Sequence, residues 1–290
     1  MTFATTILDR LATIDSAQPR LTWYGAEDER VELSGRVLAN WVIKAANLLV
    51  EESDVEPGSR VSLDLPVHWR SLVWGLATLV AGGELVLPSP DEEDDDDWSS
   101  DRPDEDDGWG QGGDPDDWEE EDEVEVDDEP EEDDAFVAHI TAEPDVIVTH
   151  RTDGAAQADV VLVIALPALA RQVDEALPVG ALDASAGLMG QGDELTYVEE
   201  PAGSDIAVRP LPAKEVAYDG LEEWATHQMP ALLRDAEITR VLCRPDTLGQ
   251  SLSHALAIWH AGGSVVLLSD DVPAGQVARI IEAENAAKRC

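Results

Sequence analysis

One block of sequence occurs twice in this chain, at an interval of 180 residues. Residues 76–89 and 256–269 each begin with an apolar segment of helical character, continue through Gly-Gly and end in a short run of valine and leucine. Glycine supplies the left-handed residue that ends a helix, and continuous Val/Leu runs are typical of buried parallel strands. Each copy is therefore predicted to be a helix followed by a strand of a parallel sheet.

Helical segments and short apolar strands alternate through the rest of the chain. This alternation predicts an α/β fold with two stacked lobes, each a mainly parallel sheet flanked by helices. We expect the first lobe to comprise residues 1–90 and 135–200 and the second, truncated lobe to comprise residues 201–290. Each lobe would then contain one copy of the repeat.

Residues 91–134 form an acidic insertion with 28 of the 63 acidic residues and a single basic one, Arg102. Such a segment buries too little apolar area to offset the entropy of ordering it, so a disordered insertion is predicted. Trp98, Trp109 and Trp118 interrupt the acidic runs. A solvated low-complexity loop and a docking element for a basic protein partner are the two interpretations.

The formal net charge of −45 narrows the range of partners. A surface of this sign repels phosphate backbones and anionic lipids, so neither nucleic acid nor a membrane is expected as a partner. Cys243 and Cys290 are too few for a disulfide framework and lack metal-ligand spacing, which is typical of a reducing compartment. The longest apolar stretch is too short to cross a bilayer. We therefore expect a cytoplasmic protein.

No catalytic residue and no metal site are predicted from motifs. His254 and His260 are six residues apart in a predicted helix, which places them on different faces and argues against a shared metal ion. Residues 149–154 follow a predicted strand, where α/β sheets often bind ligands. An anion site is one interpretation of this segment, but a simple turn explains it with fewer assumptions.

Several segments together resemble the N-terminal domain of acyl-CoA synthetases and other adenylate-forming (AMP-binding) enzymes. They are Leu-Thr-Trp-Tyr at 21–24, Ala-Ala-Asn-Leu-Leu at 45–49, Glu-Pro-Gly-Ser-Arg-Val at 56–61, Leu-Pro at 65–66 and Leu-Val-Ala-Gly-Gly at 79–83. Residues 240–242, 262–267 and 273–284 are similar to that domain's second lobe. The likeness is closest to short actinobacterial proteins that keep only the front of the domain.

The resemblance implies an ATP site that this sequence does not preserve. In the superfamily a Ser/Thr/Gly-rich loop ending in Pro-Lys-Gly cradles the ATP phosphates, because glycines let backbone N–H groups approach them. The corresponding stretch here is 205–216, where the flanking residues remain and the loop is missing. Lys214 aligns with the loop's lysine and is the one candidate ligand-binding residue. The family's aromatic and histidine motif is replaced at 245–249, and its later segments are absent from the sequence.

The sequence thus favours a truncated, acyl-CoA synthetase-like protein without adenylation activity, acting as a binding or regulatory protein. Its ligand would be an acyl or nucleotide-like small molecule, and no cofactor is implied. The alternative is a divergent adenylate-forming ligase acting on a carboxylic acid, completed by a partner chain. Only that alternative requires ATP, AMP and Mg²⁺ as cofactors. A structural protein docking through the acidic insertion is a third hypothesis.

Overall fold

Short strands in two mostly parallel sheets organise the chain. The computed structural model describes residues 1–26, 29–87, 144–168, 170–210, 214–229, 239–286 and 288–290. The helices are α1 Phe3–Thr13, α2 Gly35–Ser53, α3 Trp69–Val80, α4 Ala184–Gly190, α5 Leu221–Gln228, α6 Leu248–His260 and α7 Ala274–Glu284. The strands are β1 Pro19–Tyr24, β2 Arg30–Ser34, β3 Arg60–Asp64, β4 Glu84–Leu87, β5 Val146–Thr149, β6 Val160–Val163, β7 Leu182–Asp183, β8 Ile206–Pro210, β9 Val216–Ala217, β10 Arg240–Cys243, β11 Ser264–Leu268 and β12 Lys288–Arg289.

The strand order is β12-β10-β11-β1-β2 in a five-stranded sheet and β7-β6-β5-β3-β4-β8-β9 in a seven-stranded sheet. All described neighbours are parallel except the pairs β1–β2 and β8–β9. The predicted α/β fold with mainly parallel sheets and flanking helices is therefore confirmed. The acidic insertion at 91–134 lies outside the described residues. No helix of the described part is long and apolar enough to cross a membrane.

The sequence repeat is also a structural repeat, and the structural repeat includes the strand that precedes each copy of the repeated sequence. β3, α3 and β4 form one β-α-β unit, and β10, α6 and β11 form another at the same interval. The registers agree: Arg60 is paired with Glu84, and Arg240 is paired with Ser264. We call these the first and second β-α-β units.

Both helices of these units end on a glycine with positive φ. Gly82 has a φ of 87° and Gly262 a φ of 80°, a conformation that other residues adopt at a cost. The next glycine donates its backbone N–H back into the helix in each unit, from Gly83 to Thr78 and from Gly263 to Ile258. The Gly-Gly pair therefore stops the helix and turns the chain into the strand, as the sequence predicted.

The helices of the two units pack against each other through a small residue. A Cβ atom placed on Gly75 in α3 would lie 3.1 Å from the Cδ atoms of Leu252 in α6, so the close approach depends on the missing side chain. Trp69, Trp74 and Trp259 are among the largest fully buried side chains, and they come from these same helices. The centre of the core thus lies where the repeated helices meet.

The division into two lobes remains a prediction, but the strands are distributed differently from what its boundaries imply. β1 and β2, expected in the first lobe, join the sheet of the second unit through pairing of β1 with β11. β8 and β9, expected in the second lobe, join the sheet of the first unit through pairing of β8 with β4. An apolar strand can pair with any exposed sheet edge, so sequence order alone does not reveal its partner.

The two cysteines, for which no disulfide was expected, are bonded to each other. Cys243 ends β10 and Cys290 follows β12, and their Cα atoms are 4.7 Å apart. The backbone of Cys290 continues the pairing, because its N–H donates to Leu242 and its carbonyl accepts from Arg244. The two cysteines are 47 residues apart in the sequence, so only the pairing of strands in the sheet brings them together.

Candidate functional site

The hairpin formed by β8 and β9 occupies the stretch where the resemblance implied a phosphate loop. The strands are antiparallel, with Ile206 opposite Ala217 and Val208 opposite Val216. Five residues, 211–215, connect them, and their sequence Leu-Pro-Ala-Lys-Glu contains no glycine, serine or threonine. The structure describes the last two of these residues. A connection of this length and composition offers few backbone N–H groups that a phosphate could approach.

The cation nearest this connection on β8 is already neutralised. Arg209 is buried and forms ion pairs with Glu84 on β4 and Glu215 on the connection. Burial opposes the charge of Arg209, but the hydrogen bonds and charges of the two carboxylates outweigh it and raise its pKa. Lys214, the predicted ligand-binding residue, is exposed. Its role towards a ligand remains a prediction.

Tyr218 fixes the hairpin to the Gly-Gly turn of the first unit. Its buried hydroxyl donates to the carbonyl of Gly83 at 2.8 Å and lies 3.2 Å from that of Leu79. Burial raises the pKa of this phenol, with the charge of Asp205 acting in the same direction. The hydroxyl therefore stays protonated and holds the hairpin in place.

A cleft of about 420 Å³ opens beside the first residue of the chain. Glu200, Asp219 and Glu222 line it together with the rings of Phe3 and His260. The two rings are 4.9 Å apart, and the His260 Nε2 atom lies 3.5 Å from the Glu222 carboxylate. The N-terminal ammonium of Met1 forms an ion pair with Glu200. Asp219 and Glu222 still leave the cleft acidic, which favours a cation over a phosphate or a carboxylate.

A buried cluster of aromatic and cationic side chains lies at the start of α3. His68 caps the helix, since its Nδ1 atom accepts the backbone N–H of Arg70 at 3.2 Å. The other ring nitrogen, Nε2, then carries the proton of the neutral imidazole. Burial lowers the pKa of His68 to about 3, and the charge of Arg70 adds to this shift. His68 is therefore neutral at physiological pH.

Arg70 is the buried cation of this cluster. Its guanidinium lies 4.5 Å from the ring centre of Trp69 and 5.4 Å from that of Trp41, and it donates to the carbonyl of Ala170 at 2.9 Å. Burial lowers its pKa to about 10, although the charge of Glu29 opposes the shift. The side chain remains charged and ties the backbone at Ala170 to α3.

Four buried N–H groups of the cluster have no hydrogen-bond partner among the described residues. They belong to the Trp23 and Trp69 indoles, the Arg70 Nε atom and the His68 Nε2 atom. The Trp23 and His68 rings are in edge contact at 4.3 Å. Buried donors in native proteins are normally satisfied, so each of these groups requires an acceptor. The cluster combines one positive charge with a set of unused donors, which suits an anion.

After Thr149 at the end of β5, residues 150–154 form an irregular segment with bends, and its interpretation as a simple turn or an anion site stays a prediction. Thr149 donates its hydroxyl to Asp64 at 2.6 Å, and the guanidinium of Arg151 lies 3.5 Å from the same carboxylate. The groups that suggested an anion site thus bind an acidic side chain of the protein itself. His254 and His260 also lie apart, one buried beside the cysteines and the other in the cleft.

Sequence reasoning missed the cluster at α3, although a signal was present. His68, Trp69 and Arg70 are consecutive in the sequence and lie two residues after Pro66, which follows a predicted strand. Three consecutive large polar or aromatic residues at a helix start are unusual on a surface, and here all three are buried. The partners Trp23 and Trp41 come from β1 and α2, and only folding brings them to this place.

Comparison with solved structures shows what this arrangement of sheets is similar to. The chain matches an acyl-CoA synthetase from Brucella canis over its full length, with 16% identity and a TM-score of 0.68, and spans 47% of that protein. The chain has the fold of the N-terminal part of adenylate-forming enzymes. It also matches the amide bond synthetase McbA from Marinactinospora thermotolerans, with 17% identity over 99% of the chain, a TM-score of 0.60 and 47% of that protein covered. The chain thus spans about half the length of these two synthetases.

Two further comparisons extend this result. The N-terminal subdomain of NpsA from Klebsiella oxytoca, solved with 3-hydroxyanthranilyl-AMSN, matches the whole chain with 10% identity, a TM-score of 0.60 and 59% of that structure covered. A protein of Mycobacterium tuberculosis (strain ATCC 25618 / H37Rv), whose name gives a family but no activity, is 29% identical over 280 residues. That match covers 96% of this chain and 94% of the relative. No family model matches the chain.

Proposed function

We propose that this protein is a binding or regulatory protein, built on the adenylate-forming fold, that does not adenylate carboxylic acids. The observation that carries the proposal is the β8–β9 hairpin, whose five-residue connection lacks glycine, serine and threonine. In-line attack on the α-phosphate requires the triphosphate to be held by oriented donors. The described part of the connection presents one exposed lysine, Lys214.

The charges around the hairpin support the same proposal. Arg209 forms ion pairs with Glu84 and Glu215. These two carboxylates neutralise its positive charge, so it does not attract a phosphate. The cleft beside Tyr218 adds the carboxylates of Asp219 and Glu222. Bringing a triphosphate next to carboxylates is unfavourable, because charges of the same sign repel each other. ATP is therefore expected to bind weakly or not at all.

The cluster at the start of α3 supports a carboxylate, such as that of an acyl compound, as the ligand. Arg70 supplies a positive charge that its aromatic neighbours do not neutralise, and the unused N–H donors of Trp23 and Trp69 lie in the same cluster. A carboxylate accepts several hydrogen bonds and pairs well with a guanidinium. Binding there requires the carbonyl of Ala170 to move aside, because it now accepts a hydrogen bond from Arg70.

Carboxylate-dependent exchange of pyrophosphate with ATP tests the absence of adenylation. The purified chain, incubated with Mg-ATP, labelled pyrophosphate and a panel of aliphatic and aromatic acids, is expected to show exchange no faster than a heat-inactivated control. Detectable turnover that depends on both the acid and the protein contradicts the proposal. An active acyl-CoA synthetase in the same assay shows that the conditions permit exchange.

Thermal-shift measurements test the ligand. A ligand that binds only the native state raises the melting temperature by mass action. We expect free carboxylates to raise it, and ATP and AMP to leave it unchanged. The shift should disappear in Arg70→Lys, which keeps the charge but loses the planar fork, and persist in the exposed control Arg151→Lys. If the ligand still raises the melting temperature of Arg70→Lys, the α3 cluster is not the binding site.

A divergent ligase completed by a partner chain is the second candidate. Its support is the length comparison, since the synthetases that share the fold extend well beyond the matched half. This candidate requires ATP, AMP and Mg²⁺ as cofactors. A stabilising shift with Mg-ATP, followed by exchange activity when cell extract is added, would favour it over the inactive protein.

We propose that the acidic insertion at 91–134 docks a basic protein partner. The high negative charge of this segment supports the proposal. Deleting it should leave the melting temperature unchanged and abolish capture of that partner. Capture by the shortened chain contradicts this part of the proposal. A cytoplasmic location also remains a proposal, and fractionation of cells tests it.

A further inference from the structure

Three side chains with metal-binding chemistry meet at the end of β10. They are Cys243 on β10, Cys290 after β12 and His254 in the middle of α6. One potential ligand atom from each residue lies within 4.8 Å of the other two. Cys243 and His254 are buried, with 1% and 6% of their surface exposed, and Cys290 is partly exposed. The group therefore lies under the surface with one side open to solvent.

Strand pairing and a capped helix position this group. The backbone of Cys290 is held by hydrogen bonds to Leu242 and Arg244 on the neighbouring strand, which fixes the two cysteines side by side. The helix that carries His254 begins at an N-cap, where Thr247 accepts the N–H of Gln250, and it packs against the same sheet. Sites on strands and helices hold ligand atoms more accurately than sites on loops.

Comparison of the two β-α-β units shows that core packing does not require a cysteine at position 243 or a histidine at position 254. The positions of the first unit that correspond to Cys243 and His254, at the same interval of 180, are Leu63 and Trp74. Both are buried core residues with 0% and 1% exposure. The second unit thus places a thiol and an imidazole where the same backbone accepts large hydrophobic side chains.

We propose that the reduced form of this protein binds one Zn²⁺ ion through Cys243, His254 and Cys290. Thiolate and imidazole are the ligands that zinc prefers, at about 2.3 Å for sulfur and about 2.0–2.1 Å for nitrogen. Two thiolates and a neutral imidazole balance the charge of the ion, so the buried site carries no net charge. The partly exposed side of Cys290 leaves the fourth tetrahedral position to water.

The disulfide and the zinc site exclude each other, because both use the same two sulfur atoms. Reduction by a dithiol transfers two electrons and two protons to the disulfide, giving two thiols while the dithiol becomes a disulfide. Zinc then displaces the two thiol protons and bonds to both thiolates. The sulfur atoms move apart from bonding distance to the wider spacing of two ligands on one ion. Zinc affinity is therefore expected to depend on the redox state of the protein.

Cobalt and zinc titrations of the full chain test the site. After reduction with a phosphine, which takes up the oxygen of water as the disulfide becomes two thiols, the protein is titrated with Co²⁺ without oxygen. We expect about one equivalent to bind, with thiolate-to-cobalt charge-transfer absorption and the intense visible bands of a tetrahedral ion, and Zn²⁺ to displace it. The zinc-bound protein should also melt at a higher temperature than the reduced apoprotein.

Oxidised wild-type protein is the matched control, because it has the same acidic surface and no free thiols. It should lack the charge-transfer band, which separates the site from diffuse binding of metal to carboxylates. Cys290→Ser should abolish the band, and His254→Asn should weaken zinc binding by about tenfold or more, whereas His260→Asn on the same helix should have no effect. Reduced wild-type protein with two titratable thiols and no bound zinc overturns the proposal. An unchanged band in the oxidised protein or in Cys290→Ser overturns it as well.

Discussion

The two β-α-β units share a backbone but differ in the chemistry of corresponding side chains. Both have the same strand register and the same Gly-Gly turn. The position after the turn is Glu84 in the first unit and Ser264 in the second, and each contacts an arginine of a neighbouring strand. Glu84 forms an ion pair with Arg209 on β8, outside its unit, whereas the Ser264 hydroxyl accepts a hydrogen bond from Arg240 on β10, inside its unit. Corresponding positions on the shared backbone therefore differ both in the kind of polar contact and in the strand that they contact.

The units also differ in what their helices carry. The first places the buried His68 and Arg70 at the start of α3, and the second places His254 beside two cysteines. Each candidate site of this protein thus lies on a different copy of one scaffold. The fold is shared with synthetases, and the side chains added to it decide what the protein binds.

Truncation of Leu252 should produce the largest loss of stability, because it removes the contact between the two units. Leu252→Ala leaves a cavity opposite Gly75 and is expected to lower the free energy of unfolding by about 2–5 kcal/mol in urea titrations. Adding Gly75→Ala should recover part of this loss, although Gly75→Ala alone overpacks the site. The exposed Val37→Ala serves as control. Additive effects of Leu252→Ala and Gly75→Ala would show that the helices do not depend on each other.

Replacing Glu84 with the residue of the second unit should have the next largest effect. Glu84→Ser leaves the buried Arg209 with Glu215 alone and is expected to cost about 2–4 kcal/mol. The matched variant Glu84→Gln keeps the shape and a hydrogen-bond acceptor and should cost less. Urea titrations measure both. Equal stability of Glu84→Ser and the wild type would mean that the ion pair contributes nothing.

The two turn glycines allow a direct test of how alike the units are. Gly262→Ala should destabilise the protein by about 1–2 kcal/mol, since alanine is strained at positive φ. Gly82→Ala should cost more, because its Cβ atom would also lie 3.1 Å from the carbonyl oxygen of Glu199, whereas the nearest atom at Gly262 is the end of an arginine side chain. Thermal melts of both variants decide the order. A larger loss in Gly262→Ala would mean that the contact with Glu199 adds no strain.

His68 should make the stability of the protein depend on pH. Its pKa falls from 6.5 in the unfolded chain to about 3 in the folded protein, so between these values only the unfolded state takes up the proton. Stability is then complete above about pH 6.5 and is lost as the pH falls towards 3, by up to about 1.4 kcal/mol per pH unit. His68→Asn, which can still cap α3, should reduce this slope. A slope identical to that of the wild type would show that His68 does not carry the effect.

Local structure and the class of fold could be predicted from the sequence. The Gly-Gly turns, the apolar strands and the helical periodicity predicted the repeated unit, because helix ends and strand burial follow from a few adjacent residues. The fold shared with adenylate-forming enzymes was predicted from short segments in the right order. Residues 205–216 contain no glycine, serine or threonine, and the prediction that no phosphate cradle forms there rests on this composition.

The neighbours of distant residues, by contrast, emerged only from the folded chain. Folding placed β1 and β2 in the sheet of the second unit, joined Cys243 to Cys290 with His254 beside them, and brought Trp23 and Trp41 to the helix start at His68. Strand pairing and core packing act across the whole chain, and their strength depends on shape and burial rather than on distance along the sequence. Because both candidate sites are built from such contacts, their residues could not be grouped before the strands were paired.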